Sequence, residues 1–340
     1  MLKEIINNLI KNLDVRQKDV ITTRFGLKGE KLTLAAVGEK YHLTRERIRQ
    51  IEEISLKLIG EKAADDKQFN DFVGVCVNHL KKIGGIMKEE KFLNDIRDLF
   101  KDESVNQQQL KFIFEVAGGP KFYRQDGDFY GFWHLDDKAF SAMDDFINKL
   151  AKLLSAKKEE VLKQKKFNEI FSSFVRTSGI SESLAKNYIA VSKKFKTNSF
   201  GEFGLSQWEE INPQTIGAKT YLILKKRGQS LHFREIAEEI NKAKFDKRPA
   251  LPQTVHNELI KDPRFVLVGR GMYGLSEFGL KPGAAQEVIK RILKEKGPLA
   301  REKVIDLVLQ ERFLKPNTVL LNLQNKKHFK KLADGRYHIA

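Results

Sequence analysis

Apolar positions recur every three to four residues through most of this chain, and the helical runs they make are interrupted by short aromatic stretches with a strand period. The opening, MLKEIINNLIKN, is amphipathic at helical spacing. After residue 66 one layout occurs four times: an apolar helix, a second, a third, then two short aromatic strands joined at a glycine turn. The endings show it best: GGPKFYRQDGDFYGFWHL at 118–135, KKFKTNSFGEFGLSQW at 193–208, PRFVLVGRGMYGLSEFG at 263–279 and KHFKKLADGRYHIA at 327–340. Asp126-Gly127, Asp334-Gly335 and Gly269-Arg270-Gly271 are hairpin turn signals. Third-helix patterns precede these endings at Gln107–Val116, Ser183–Ser192, Gln253–Lys261 and Asn317–Lys326. Second-helix patterns lie at Lys91–Phe100, Phe167–Arg176, Phe233–Asn241 and Glu302–Arg312, and Lys138–Lys166 reads as a charged, mostly helical connector or first helix.

Three helices followed by a hairpin is the winged-helix order. The hairpins stand about 60–75 residues apart, so each unit is a small domain rather than a solenoid repeat. The expected fold class is mainly α with small β-hairpins: an N-terminal helix-turn-helix at 1–62, then about four winged-helix-like modules at 67–138, 139–213, 216–280 and 281–340.

LTLAAVGEKYHLTRERIRQIEEISLKLI, residues 32–59, is the most informative stretch. Thr33 is placed to cap a short helix through Tyr41, with Leu34 and Val37 facing inward. Gly38 allows close approach of a partner helix, His42-Leu43 makes the turn, and Thr44 caps the next helix. There Ile48, Ile51 and Leu58 follow the spacing of a buried stripe, while Glu46, Arg49, Gln50 and Glu53 fall on the opposite face. Arg45 projects from the helix start, the end that meets base edges in helix-turn-helix docking. Arg pairs with guanine, Gln with adenine, and Glu accepts from cytosine N4. A solvated face laced by i,i+4 ion pairs is the competing reading of the same stripe.

Charge sharpens the picture. The net charge is +17 over 340 residues, and it is segregated. Residues 1–60 carry 12 Lys and Arg against 8 Asp and Glu, residues 61–215 carry 24 against 24, residues 216–280 carry 12 against 7, and residues 281–340 carry 14 against 6. Basic ends around a neutral middle point to a polyanion partner, because each cation that neutralises a phosphate releases counterions. In the 220–279 stretch, Arg264 and Arg270 would bring positive charge to the hairpin, and Gln253, His256, Asn257 and Lys261 are polar on its third helix, with Phe233, Ile236, Ala237 and Ile240 as core. Lys326, Lys327, Lys330, Lys331 and Arg336 surround the last hairpin and suit a wing along a phosphate backbone; a solvated charged edge is the alternative. Phe122, Tyr123, Phe129, Tyr130, Phe132 and Trp133 read mostly as core, with an exposed subset as a protein-docking face.

Other chemistries find little footing. Cys76 is the sole cysteine, so neither an intrachain disulfide nor a cysteine zinc site is expected. The seven histidines are scattered, and no phosphate-binding loop, nucleophile elbow or HExxH segment occurs. The expectation is a cytoplasmic binding protein: not an enzyme, with no cofactor, metal, small-molecule substrate or membrane contact.

RFGLKGEKLTLAAVGEKYHLTRERIRQIE at 24–52 closely resembles region 4 of bacterial primary sigma factors, with RFG, TLxxVG and TRERIRQIE in register. The resemblance implies that Arg45, Glu46 and Gln50 read a −35 promoter element in double-stranded DNA, while Arg24, Thr33, Arg47 and Arg49 hold phosphates or support the register. The family's acidic pair after Thr-Leu is Ala35-Ala36 here, which puts partner contacts made there in doubt. Residues 220–279 resemble the HARE-HTH domain through LHFREIA, TVHNELI and the DPRF…GRGMYGLSEFG ending, with Phe278 where that family usually has Trp. That family includes the delta subunit of bacterial RNA polymerase and modules attached to DNA-modifying and restriction enzymes. Both resemblances imply work with the RNA polymerase core in transcription initiation or its regulation. The alternative they leave open is a polymerase accessory protein with little sequence-specific DNA binding of its own.

Overall fold

Short amphipathic helices cannot each bury an apolar face alone, and the chain solves this by folding into two compact units, residues 1–195 and 196–340. The computed structural model describes residues 1–280 and 283–340; residues 281 and 282, which open the expected 281–340 module, lie outside the described residues. The chain is 59% helical, with only small antiparallel hairpins, as the periodicity predicts.

The first unit runs α1 (Leu2–Ile10), α2 (Val15–Phe25), α3 (Leu34–Tyr41), α4 (Arg45–Asp65), α5 (Lys67–Lys82), β1 (Ile86–Lys88), α6 (Glu89–Phe100), α7 (Gln107–Ala117), β2 (Lys121–Tyr123) and β3 (Phe132–His134). It continues through α8 (Asp137–Ala156), α9 (Lys158–Leu162), α10 (Phe167–Thr177) and α11 (Glu182–Val191), and β4 (Phe195–Thr197) carries the chain onward. Side chains set the helix ends. Asp14 and Gln17 form a capping box at α2, which stops at Gly26 in the left-handed region, φ 66°. Asn106 and Gln109 do the same for α7, which stops at Gly118.

The core of this unit begins in α1 and does not respect the sequence boundary near residue 62. Leu2, Ile5, Leu9 and Ile10 of α1, Ile21 of α2 and Ile59 of α4 share one buried cluster with Phe72 of α5, Phe92 of α6, Phe112 of α7 and Trp133 of β3. Helix α7 packs on α1, α2 and α4 together. Phe25 meets Phe112 edge-on, with ring centroids 5.2 Å apart. Of the aromatic run, Phe129, Phe132 and Trp133 are buried, so it is mainly core; Tyr130 is the exposed member, at 37%.

The second unit holds β5 (Phe203–Leu205), α12 (Ile216–Arg227), β6 (Leu231–His232), α13 (Phe233–Ala243), α14 (Pro252–Lys261), β7 (Phe265–Leu267) and β8 (Met272–Leu275). It ends with α15 (Ala285–Lys296), α16 (Arg301–Glu311), α17 (Pro316–Leu323), β9 (Phe329–Lys331) and β10 (Tyr337–Ile339). Ile236, Ala237 and Ile240 are buried as expected and pack with Val255, Leu259 and Tyr273. Val288, Ile292, Val304, Val308, Val319 and Phe329 form a separate cluster. Backbone pairing joins the two: the Phe313 N–H donates to the Val268 carbonyl at 2.8 Å, and Gly269 bridges Phe313 in parallel. A Cβ on Gly269 would stand 2.7 Å from the Phe313 carbonyl oxygen, so the approach needs a residue without one.

Three sequence expectations change. Strands β1 and β6 make third strands beside two of the hairpins, in the orders β1-β3-β2 and β6-β8-β7. At three and two residues they are too short to leave an alternation. Asp126-Gly127 is not a two-residue turn: β2 ends at Tyr123 and β3 starts at Phe132, and Asp126 instead accepts from the Asp128 and Phe129 amides. Helix α17 closes at Leu323, short of Lys326, because the Asn325 side chain and carbonyl take over the following amides.

Candidate nucleic-acid interface

Two threonines build the helix-turn-helix. Thr33 Oγ1 accepts from the Ala36 amide at 3.1 Å, starting α3, and Thr44 Oγ1 accepts from the Arg47 amide at 3.2 Å, starting α4. Between them His42 sits in the left-handed region, φ 51°, and the Leu43 amide donates to the Gly38 carbonyl at 2.9 Å. A Cβ on Gly38 would lie 2.6 Å from the Leu43 carbonyl oxygen. Glycine there is what lets the turn close. Val20, Val37, Ile48 and Ile51 are buried together behind it, with Leu34 and Leu43 packed on them. Asp19 of α2 ties to α3, accepting from Lys40 Nζ at 2.6 Å and from the Tyr41 hydroxyl; these bonds hold its carboxyl below the usual carboxylate range.

The buried stripe of α4 is Ile48, Ile51, Ser55, Ile59 and Ala63. Leu58, expected on it, is 45% exposed: the stripe is centred on Ile48, Ser55 and Ile59, with Ile51 and Ala63 at its two edges, and Leu58 lies beyond the Ile51 edge, about 80° from the centre at about 100° per residue. Ser55 is accepted in the core by donating its hydroxyl to the Ile51 carbonyl at 2.6 Å.

Burying Ile48 and Ile51 turns the first two turns of α4 outward. Arg45, Glu46, Arg47 and Arg49 are exposed and Gln50 half-exposed. Arg45 makes no hydrogen bond or ion pair among the described residues. The others partner one another: Arg49 forks onto both Glu46 oxygens, at 2.9 and 2.8 Å, and reaches Glu53 at 3.0 Å, while Arg47 donates to Gln50 Oε1 at 3.0 Å. The Arg49 bonds hold the Glu46 carboxyl below its ordinary range and push the guanidinium up. Such exposed pairs are weak in water, so a base edge can replace them at little cost. The ion-paired face and the face expected to read DNA are therefore made of the same residues.

Arg24 stands apart from the other expected phosphate contacts. Its side chain is 17% exposed; Nε pairs with Glu52 at 3.1 Å and Nη1 donates to the Leu32 carbonyl at 2.7 Å. It ties α2 to α4 and to the segment entering α3, a supporting role. Sequence reasoning missed Glu52 as its counter-ion, although a half-buried Arg calls for a carboxylate. Thr33 and Arg47 lie at the helix starts described above. In the second unit Arg270 is exposed in the β7–β8 turn. Arg264 instead forks onto the Asp262 carboxylate, at 2.6 and 2.9 Å, and adds little free charge to that wing. Lys330 and Lys331 are exposed on β9, next to exposed Lys326 and Lys327, whereas Arg336 is held by Asp334 at 2.6 Å.

No helix among the described residues is long and apolar enough to cross a membrane. Residues 9–59 match the family model for sigma-70, region 4, and residues 215–278 match that for HARE-HTH, the HTH domain named for ASXL and restriction endonuclease proteins. The RNA polymerase sigma-B factor of Nostoc sp. is 36% identical over 70 residues, which is 20% of this chain and 21% of that protein. The RNA polymerase sigma factor SigA of Microcystis aeruginosa is 41% identical over 58 residues, 17% and 14% of the two chains. SigA of Listeria monocytogenes is 39% identical over 74 residues, 22% and 20%. The chain thus spans between 14% and 21% of the length of these curated relatives. It carries a sigma-70 region 4 segment at its N-terminal end and a HARE-HTH domain at 215–278.

Proposed function

We propose that this chain binds bacterial promoter DNA of the −35 type through the start of α4 and acts with the RNA polymerase core in transcription initiation or its regulation. The observation that carries this reading is the outward face of exposed Arg45 and Glu46 and half-exposed Gln50, supported by the Thr44 cap and by buried Ile48 and Ile51. A helix of this kind presents its first turns to the major groove. Arg45 addresses a guanine, Gln50 an adenine and Glu46 a cytosine amine, with Arg47, Arg49 and Thr33 along the adjoining phosphates. Arg270 and the Lys330–Lys331 pair would extend the phosphate contacts from the second unit. The regional charges fit, since both ends of the chain are basic and the middle is neutral.

Fluorescence anisotropy on a −35 consensus duplex and a scrambled duplex, at two salt concentrations, tests the reading. The expected preference for the consensus is about tenfold or more, and Arg45→Ala should abolish it. Equal, salt-sensitive binding to both duplexes would sink promoter reading and leave an accessory protein of the polymerase. Separately, Lys330→Ala with Lys331→Ala should weaken binding to both duplexes alike and lower the salt slope by roughly one for each phosphate the two lysines neutralise. An unchanged slope would remove the wing from the interface.

A further inference from the structure

A cleft of about 830 Å³ opens in the first unit, where the loop between α2 and α3 faces the α7–β2 corner. Its volume lies in the range of small-molecule sites. One part of its lining is aromatic: Phe25 and Phe122, half-buried, line it in front of buried Phe114 and Trp133. Cations complete it. Lys111 is already neutralised, 2.7 Å from the Glu89 carboxylate and 3.7 Å from the Phe122 ring centre. Lys121 is likewise held by Asp137 at 2.9 Å. Lys31 and Arg124 have no carboxylate partner among the described residues. Burial, with the like charges of Arg24, Arg124 and Lys111, pushes the Lys31 ammonium down from its ordinary range.

Unneutralised like charges in a cleft are costly unless an anion joins them, and aromatic walls beside them accept a planar ring. Glu115 is the remaining acid of the lining, and Gln108 and Gln125 supply amides able to bond a ring's polar edge. The rim at Gly118 and Gly119 has nothing within 4 Å of where a Cβ would stand, so the mouth is open. We propose that this cleft binds a nucleoside di- or triphosphate, with its phosphates on Lys31 and Arg124 and its base against the Phe25 and Phe122 rings. The bound molecule would touch the helix-turn-helix on one side and the winged module on the other.

Calorimetric titration of the full chain with ATP, GTP, sodium pyrophosphate and a short oligo-dT tests this. The nucleotides should bind at about micromolar Kd, and pyrophosphate at least about tenfold more weakly. Lys31→Ala with Arg124→Ala should weaken nucleotide binding about tenfold or more. Phe122→Leu should weaken nucleotide but not pyrophosphate, with a melting curve confirming the fold. Arg45→Ala should leave the nucleotide and pyrophosphate titrations unchanged, which separates this site from promoter reading. No heat with either nucleotide up to about 1 mM, an unaltered double variant, or pyrophosphate binding as well as nucleotide would each overturn the proposal. Oligo-dT binding more tightly than nucleotide, through the same Lys31 and Arg124, would overturn it in favour of a nucleic-acid strand.

Discussion

Replacing Phe112 by alanine is expected to destabilise the first unit by about 3–5 kcal/mol and to remove DNA binding with it. Phe112 is fully buried on α7, a helix that lies far from the sigma-like segment in sequence yet packs on α1, α2 and α4. Its ring closes on Phe25, which ends α2 and directly follows Arg24, the residue that ties α2 to α4. A cavity there loosens the scaffold that aims Arg45 and Gln50. Thermal melting gives the stability loss, and anisotropy on the consensus duplex gives the binding loss. The same argument bears on truncation: residues 1–62 alone would expose Leu2, Ile5, Leu9, Ile10 and Ile59, and should show no cooperative melt. A fragment 1–62 that melted cooperatively near the temperature of the full chain would refute the shared core as the support of the interface.

Gly38→Ala carries the second large effect. The added methyl carbon would stand 2.6 Å from a backbone oxygen, that of Leu43, and backbone at a hydrogen-bonded turn has little room to move. Overpacking of this kind costs about 1–3 kcal/mol, occasionally more. The displacement falls between α3 and α4, so base preference should fall by about tenfold or more, beyond what the stability loss explains. Gly60→Ala is the matched control. It lies in helix α4 with no atom within 4 Å of a new Cβ, and helix propensity alone predicts a gain of up to about 1 kcal/mol. Equal behaviour of the two variants would show that close approach at Gly38 is unimportant.

Local signals survived the passage from sequence to structure, and partnerships across distance did not. Thr33, Gly38, His42 and Thr44 were readable because a cap, a close approach and a turn are each written in a few adjacent residues. The mainly helical fold with hairpins was readable for the same reason. The shared core was not, since an apolar face on α1 states only that something covers it, and α7 begins about a hundred residues later. Leu58 illustrates the limit of spacing: it stands seven residues from Ile51, but Ile51 is at one edge of the stripe, whose centre runs through Ile48, Ser55 and Ile59. Arg24 and Arg264 look alike as free cations in sequence, yet Glu52 and Asp262 claim them. The cleft cations come from positions 31, 111, 121 and 124, on segments that only the fold brings together.

The backbone bridge between Gly269 and Phe313 has a thermodynamic consequence for the β7–β8 turn. A wing tip joined only to its own hairpin must be ordered when it meets DNA, and the lost freedom is subtracted from affinity. Here the neighbouring domain already fixes that tip during folding, so Arg270 is carried on a preset arm. On the proposed reading, in which Arg270 meets phosphate, loosening Phe313 would return that ordering cost to the binding step, slowing nothing in the approach but shortening the life of the complex.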